Sequence, residues 1–95
     1  MNITNQRRAE RSLTIVNQRG LHARAAAKFV KLTSEFKSEI EVTKDGETVS
    51  GVSIMGLMML AAGIGCSIHV VASGADAEKA VDAIARLVES KFDED

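Results

Sequence analysis

The sequence predicts an α+β domain, an open-faced β-sandwich in which a four-stranded antiparallel sheet carries three helices on one face, in the order β-α-β-β-α-β-α. Two observations carry this reading. Short runs with period-two apolar alternation are interleaved with longer stretches whose apolar residues recur at helical spacing. An Asp45-Gly46 pair sits between two strand-like runs and marks a two-residue hairpin, which makes that pair antiparallel.

The elements follow in chain order. Residues 1–11 (MNITNQRRAER) are polar and read as a flexible leader, which leaves 12–95 as a single domain. Ser12–Val16 (SLTIV) is short and β-branched, a first strand. Asn17–Gly20 is turn chemistry. A helix follows in LHARAAAKFVKLTSEF, with Ala26, Phe29, Val30 and Thr33 on one face. Ser38–Thr43 alternates Ile40 and Val42 against Glu39 and Glu41. The hairpin at Asp45-Gly46 then sets Val42 opposite Val49 and Lys44 opposite Glu47, an apolar pair and an opposite-charge pair. Ser53–Ala62 (SIMGLMMLAA) predicts a short helix capped by Ser53, striped by Ile54, Leu57, Met58 and Ala61, and ended by Gly63. Ser67–Ala72 is a fourth strand with Ile68, Val70 and Ala72 on one side and His69 facing solvent. A last helix spans about Asp76–Lys91, with Ala77, Ala80, Val81, Ile84, Leu87 and Val88 inward. The terminal Asp93-Glu94-Asp95 reads as a solvated acidic end.

Bulk properties narrow the function. A chain of 95 residues fits one compact domain. Its net charge of −1 supplies no field for nucleic acid or an anionic membrane. The order resembles that of some RNA-binding sheets, but the predicted strands have no aromatic residue on which bases would stack. No apolar run reaches the roughly 20 residues of a membrane span, and the start lacks a signal-peptide pattern. The single Cys66 excludes an internal disulfide and is expected to be a small buried apolar residue. A cytoplasmic location follows. His69 and His22 have no third partner at metal-ligand spacing, so no metal site is expected.

The residues that carry chemistry are Gly20-Leu21-His22-Ala23-Arg24. A helix beginning at Ala23 puts His22 at the N-cap, where Ser, Thr, Asp or Asn is preferred. Arg24 then meets the positive end of the helix dipole, at a cost of about 0.3–1 kcal/mol. An anion at the helix mouth resolves both conflicts, because the backbone N–H groups of Ala23 and Arg24 and the Arg24 guanidinium would all bind it. Histidine is nucleophilic in its neutral form near neutral pH. A phosphoryl group placed on the His22 ring would face those donors. The plainer reading, a surface histidine at a helix start, is the commoner one on spacing alone.

The segment GLHARAAAKFV resembles the active-site segment of the HPr family, the histidine phosphocarriers of bacterial phosphotransferase systems, and VSIMGLMMLAA is similar to that family's regulatory-serine and second-helix segment. The resemblance covers about Ser12 to Phe92. It implies that His22 carries the phosphoryl group on Nδ1 with help from Arg24, without a cofactor. It implies enzyme I as donor and an enzyme IIA component as acceptor, so that the protein relays the group rather than turning over a small molecule; a monomer is the default expectation. Ser53 matches the position that an HPr kinase/phosphorylase modifies in some lineages, and Ile54, Met55 and Met58 would ring the His22 site as a docking patch. Ala25 stands where sugar-transport members commonly have Pro, which favours a regulatory, nitrogen-related relay over direct sugar uptake. The alternative is a regulatory binding module that signals through Ser53 and does not use His22.

Overall fold

The computed structural model describes residues 7–94. Strands β1 (Arg8–Thr14), β2 (Glu39–Lys44), β3 (Glu47–Ser50) and β4 (Ser67–Ser73) form one sheet in the order β1-β4-β2-β3. Every pairing is antiparallel. The helices are α1 (Ala23–Thr33), α2 (Ile54–Met59) and α3 (Ala77–Glu89). A short 3-10 turn at Lys91–Asp93 follows α3.

Strand alternation decides which sheet face is covered. Ile40 and Val42 of β2, Ile68, Val70 and Ala72 of β4, and Leu13 of β1 point into the core. They meet Phe29 of α1, Leu57 of α2, and Ala80, Ile84 and Val88 of α3. The hairpin adopts the expected register, Val42 opposite Val49 and Lys44 opposite Glu47. Asp45 and Gly46 both take positive φ (50° and 84°), as the two-residue turn demands. At the sheet edge Arg11 faces the helix layer and reaches Asp82 of α3 at 2.8 Å.

Four expectations are corrected. The first strand starts at Arg8, so residues 8–11 belong to the sheet and not to a leader; residues 1–6 lie outside the described residues. RAER has little strand propensity, but β4 needs a partner along its whole length, and Arg8–Thr14 pairs residue for residue with Ser73–Ser67. Backbone pairing overrides local preference here. The second helix stops at Met59, and its expected stripe is only partly inward: Leu57 is buried, whereas Ile54 and Met58 are about 40% exposed. Ala61 adopts φ 53°, which turns the chain early and sends Leu60 and Ala62 into the core instead. Cys66 is half-buried rather than buried. His69 does face outward, but within a polar cluster: its Nδ1 lies 3.0 Å from Ser12 Oγ and its Nε2 lies 2.7 Å from Glu10 Oε1. The fourth correction concerns the acidic end, and it changes the site.

Candidate phosphoryl-carrying site

His22 is the N-cap of α1, in extended backbone (φ −77°, ψ 178°), and its side chain makes no capping bond. Its carbonyl accepts the first helical bond, from Ala26 N–H at 2.8 Å. The N–H groups of Ala23, Arg24 and Ala25 therefore have no intrahelical partner and form the donor-rich helix mouth expected from the sequence.

The loop before His22 is held from several sides. Gly20 takes φ 66° and packs so closely that a Cβ would stand 2.3 Å from the Ala62 carbonyl oxygen. Leu21 is buried and donates its N–H to the same oxygen at 2.9 Å. Asn17, 1% exposed, donates from Nδ2 to the Gly20 carbonyl at 2.9 Å. The segment after α2 is thereby tied to the residue preceding His22, which brings α2 beside the site.

Glu94 occupies the other side of the imidazole. His22 Nε2 is hydrogen-bonded to Glu94 Oε2. Glu94 Oε1 accepts from Asn17 Nδ2 at 3.2 Å. The His22 hydrogen bond is the largest influence holding the Glu94 carboxyl below the usual carboxylate range; burial opposes it, and Asn17 and Arg19 assist. An ionised carboxylate only accepts hydrogen bonds, so Nε2 must carry the proton. In the neutral ring the lone pair is then on Nδ1, which has no hydrogen-bond partner among the described residues.

This arrangement overturns the expectation of a solvated acidic end for Glu94; Asp93 is exposed as expected, and Asp95 lies outside the described residues. The tail folds back because Phe92 is fully buried and its carbonyl accepts from Lys28 Nζ at 2.7 Å. Lys91, Phe92 and Asp93 all adopt positive φ (60°, 55° and 58°), which costs about 1–2 kcal/mol per residue. Burying a phenylalanine offsets part of that cost. The sequence signal was available: a large aromatic following the last amphipathic turn has to be buried somewhere.

Arg24 is exposed and makes no hydrogen bond among the described residues. It lines an open groove of about 370 Å³ with Arg19, Lys28, Gln18, Asp93 and Glu94. The guanidinium is thus uncommitted, on the first turn of α1. Ser53 caps α2 as predicted, accepting from Gly56 N–H at 2.9 Å. Of the docking residues, Met55 is 71% exposed and Ile54 and Met58 are about 40% exposed. Val16, Val52, Met59 and Ile64, which sequence reasoning did not single out for docking, are also exposed and apolar.

A family model described as "PTS HPr component phosphorylation site" matches residues 9–90. The chain belongs to the HPr family. Among curated HPr-family proteins, the phosphocarrier protein NPr of Shewanella violacea is 48% identical over 85 residues, covering 90% of this chain and 93% of that protein. The phosphocarrier protein HPr of Neisseria meningitidis serogroup B is also 48% identical over 85 residues, covering 90% and 96%. The crystal structure of HPr-C-His from Thermoanaerobacter tengcongensis superposes with a TM-score of 0.88 at 45% identity, covering 92% of this chain and 98% of that one. The four-stranded sheet with its three helices is therefore the HPr fold, and no helix among the described residues is long and apolar enough to cross a membrane.

Proposed function

We propose that this HPr-family chain is a cytoplasmic phosphocarrier that accepts a phosphoryl group on Nδ1 of His22 from enzyme I and delivers it to an enzyme IIA component. The supporting observation is the state of the His22 ring: Nε2 is committed to an ionised Glu94, and Nδ1 is left with a lone pair at the mouth of α1. The chemistry then needs little from the protein. Nδ1 attacks phosphorus in line, and the donor leaves with its electron pair. The free amides of Ala23 and Arg24 and the Arg24 guanidinium bind the incoming phosphoryl oxygens. These contacts are partial and open to solvent, which suits a group that must leave again for a second protein.

Ala25 favours a regulatory, nitrogen-related relay over a sugar-related one. Ala25 keeps a backbone N–H that Pro would remove, so the helix mouth retains three donors rather than two. The exposed apolar residues Ile54, Met55 and Met58 supply a surface that adapts to more than one partner. Ser53 lies beside that surface, half-buried, and is proposed as a site for HPr kinase/phosphorylase. A phosphoserine there would add about −1.5 to −2 charge, tolerated by the helix end but repelling an acidic partner. The monomer is the working unit in this reading.

The test is incubation with enzyme I and labelled phosphoenolpyruvate. The carrier reading expects an acid-labile label on the wild type and none on His22→Ala. A binding module signalling only through Ser53 would take no label from enzyme I in either protein.

A further inference from the structure

We infer that Glu94 is a positioning residue for phosphoryl release: it keeps the proton on His22 Nε2 while the phosphoryl group is bound at Nδ1. The inference rests on His22 being the residue that carries the group.

The proton balance gives the reason. In the resting ring Nε2 holds the proton and Nδ1 the lone pair. When Nδ1 bonds to phosphorus, the donor's bond breaks with its electron pair and the ring becomes a cation, still protonated at Nε2. When the group leaves, the Nδ1–P bond breaks, its electron pair returns to Nδ1, and a neutral imidazole remains. No proton has to move in either direction. If Nε2 loses its proton in between, the departing ring is an imidazolate, a far poorer leaving group. A carboxylate in contact with Nε2 favours the protonated ring.

The surroundings make Glu94 the group suited to this. Arg19 from the loop and Arg24 and Lys28 from α1 line the adjoining groove, and all three oppose a positive ring. Asp93 lies in the same groove, but Glu94 is the carboxylate in hydrogen-bond contact with the ring. Helix α2 (IMGLMM) contributes no ionisable side chain. Glu94 is also fixed in place: Asn17 Nδ2 holds its second oxygen, Asn17 is anchored to the Gly20 carbonyl, and the preceding turn is pinned by buried Phe92 and by Lys28. A flexible surface glutamate would not be held on three sides in this way.

The test follows phosphohistidine hydrolysis by phosphorus NMR across pH in the wild type and in Glu94→Gln. Water attacks phosphorus, the electron pair returns to Nδ1, and both of the water's protons leave with the inorganic phosphate. Glutamine keeps an acceptor oxygen for Nε2–H and removes only the charge. The rate falls at alkaline pH as Nε2 loses its proton, and that fall is expected about one pH unit lower in Glu94→Gln. A structural role alone would change the amount of labelled protein without moving this limb. Coincident profiles, with the label present on His22, would overturn the inference and leave the carrier reading intact. Label that persists in His22→Ala would instead overturn the reading beneath it.

Discussion

The carboxylate of Glu94 and the imidazole of His22 are hydrogen-bonded across 72 residues of sequence, at the junction of the tail and the mouth of α1. The same carboxylate accepts from Asn17, which in turn holds the loop entering α1. The end of the chain and the start of the site are therefore one structural unit, and perturbing either should register in the other.

Phe92 is the anchor of that unit, fully buried and in left-handed backbone. Phe92→Ala is expected to cost about 3–5 kcal/mol in urea unfolding, with relief of the turn's strain keeping it toward the lower figure. The His22 ring should lose its Nε2 partner, visible as a changed imidazole NMR signal. An unchanged signal would mean that the tail stays docked without its anchor.

Gly20 meets the Ala62 carbonyl where a Cβ would stand at 2.3 Å, and its φ of 66° already disfavours any other residue. Gly20→Ala should destabilise by about 2 kcal/mol, within the usual range for strained backbone positions. It should also weaken the Leu21–Ala62 hydrogen bond, so that hydrogen exchange at Leu21 speeds up more than exchange in β4.

Asp76 ties the start of α3 to the chain leaving α1. Its oxygens accept from Lys37 N–H and Ser38 N–H, each at 2.9 Å, and from the Ser38 hydroxyl. The Ser38 hydroxyl first, then the Lys37 amide, hold its carboxyl below the usual range. A lowered folded-state value means that the contribution is fully present above the unfolded carboxylate range and is lost as pH falls through the folded value. Chemical denaturation of wild type and Asp76→Asn should differ most at pH 6–7, and the curves should converge below about pH 4. A gap that stays constant down to about pH 3 would contradict this assignment.

Met55 is 71% exposed, so Met55→Glu should leave thermal stability within about 0.5 kcal/mol of wild type. Transfer from enzyme I, and onward to the acceptor, should slow at least tenfold by a rise in KM. Unaltered kinetics with both partners would remove Met55 from the docking surface.

The hairpin register followed from Asp45-Gly46 and the two valines, because turn geometry and alternation are properties of adjacent residues. Ser53 was legible as a cap, and His22 as an anomalous one, because capping is decided within four residues. β1 began four residues earlier than its composition suggested, since its pairing is dictated by β4, which lies more than 50 residues away. The inward face of α2 was misjudged because Ala61 turns the chain, and no periodicity argument foresees a left-handed alanine.

By itself, then, the sequence determined the fold class, the order of elements and the histidine at the helix mouth. These depend on local period, turn chemistry and helix-end electrostatics. Tertiary structure alone decided which nitrogen of His22 holds the proton. That choice belongs to Glu94: Phe92 marks locally that the tail must turn inward, but the landing of the tail on His22 depends on contacts between segments distant in sequence, a lysine of the first helix among them.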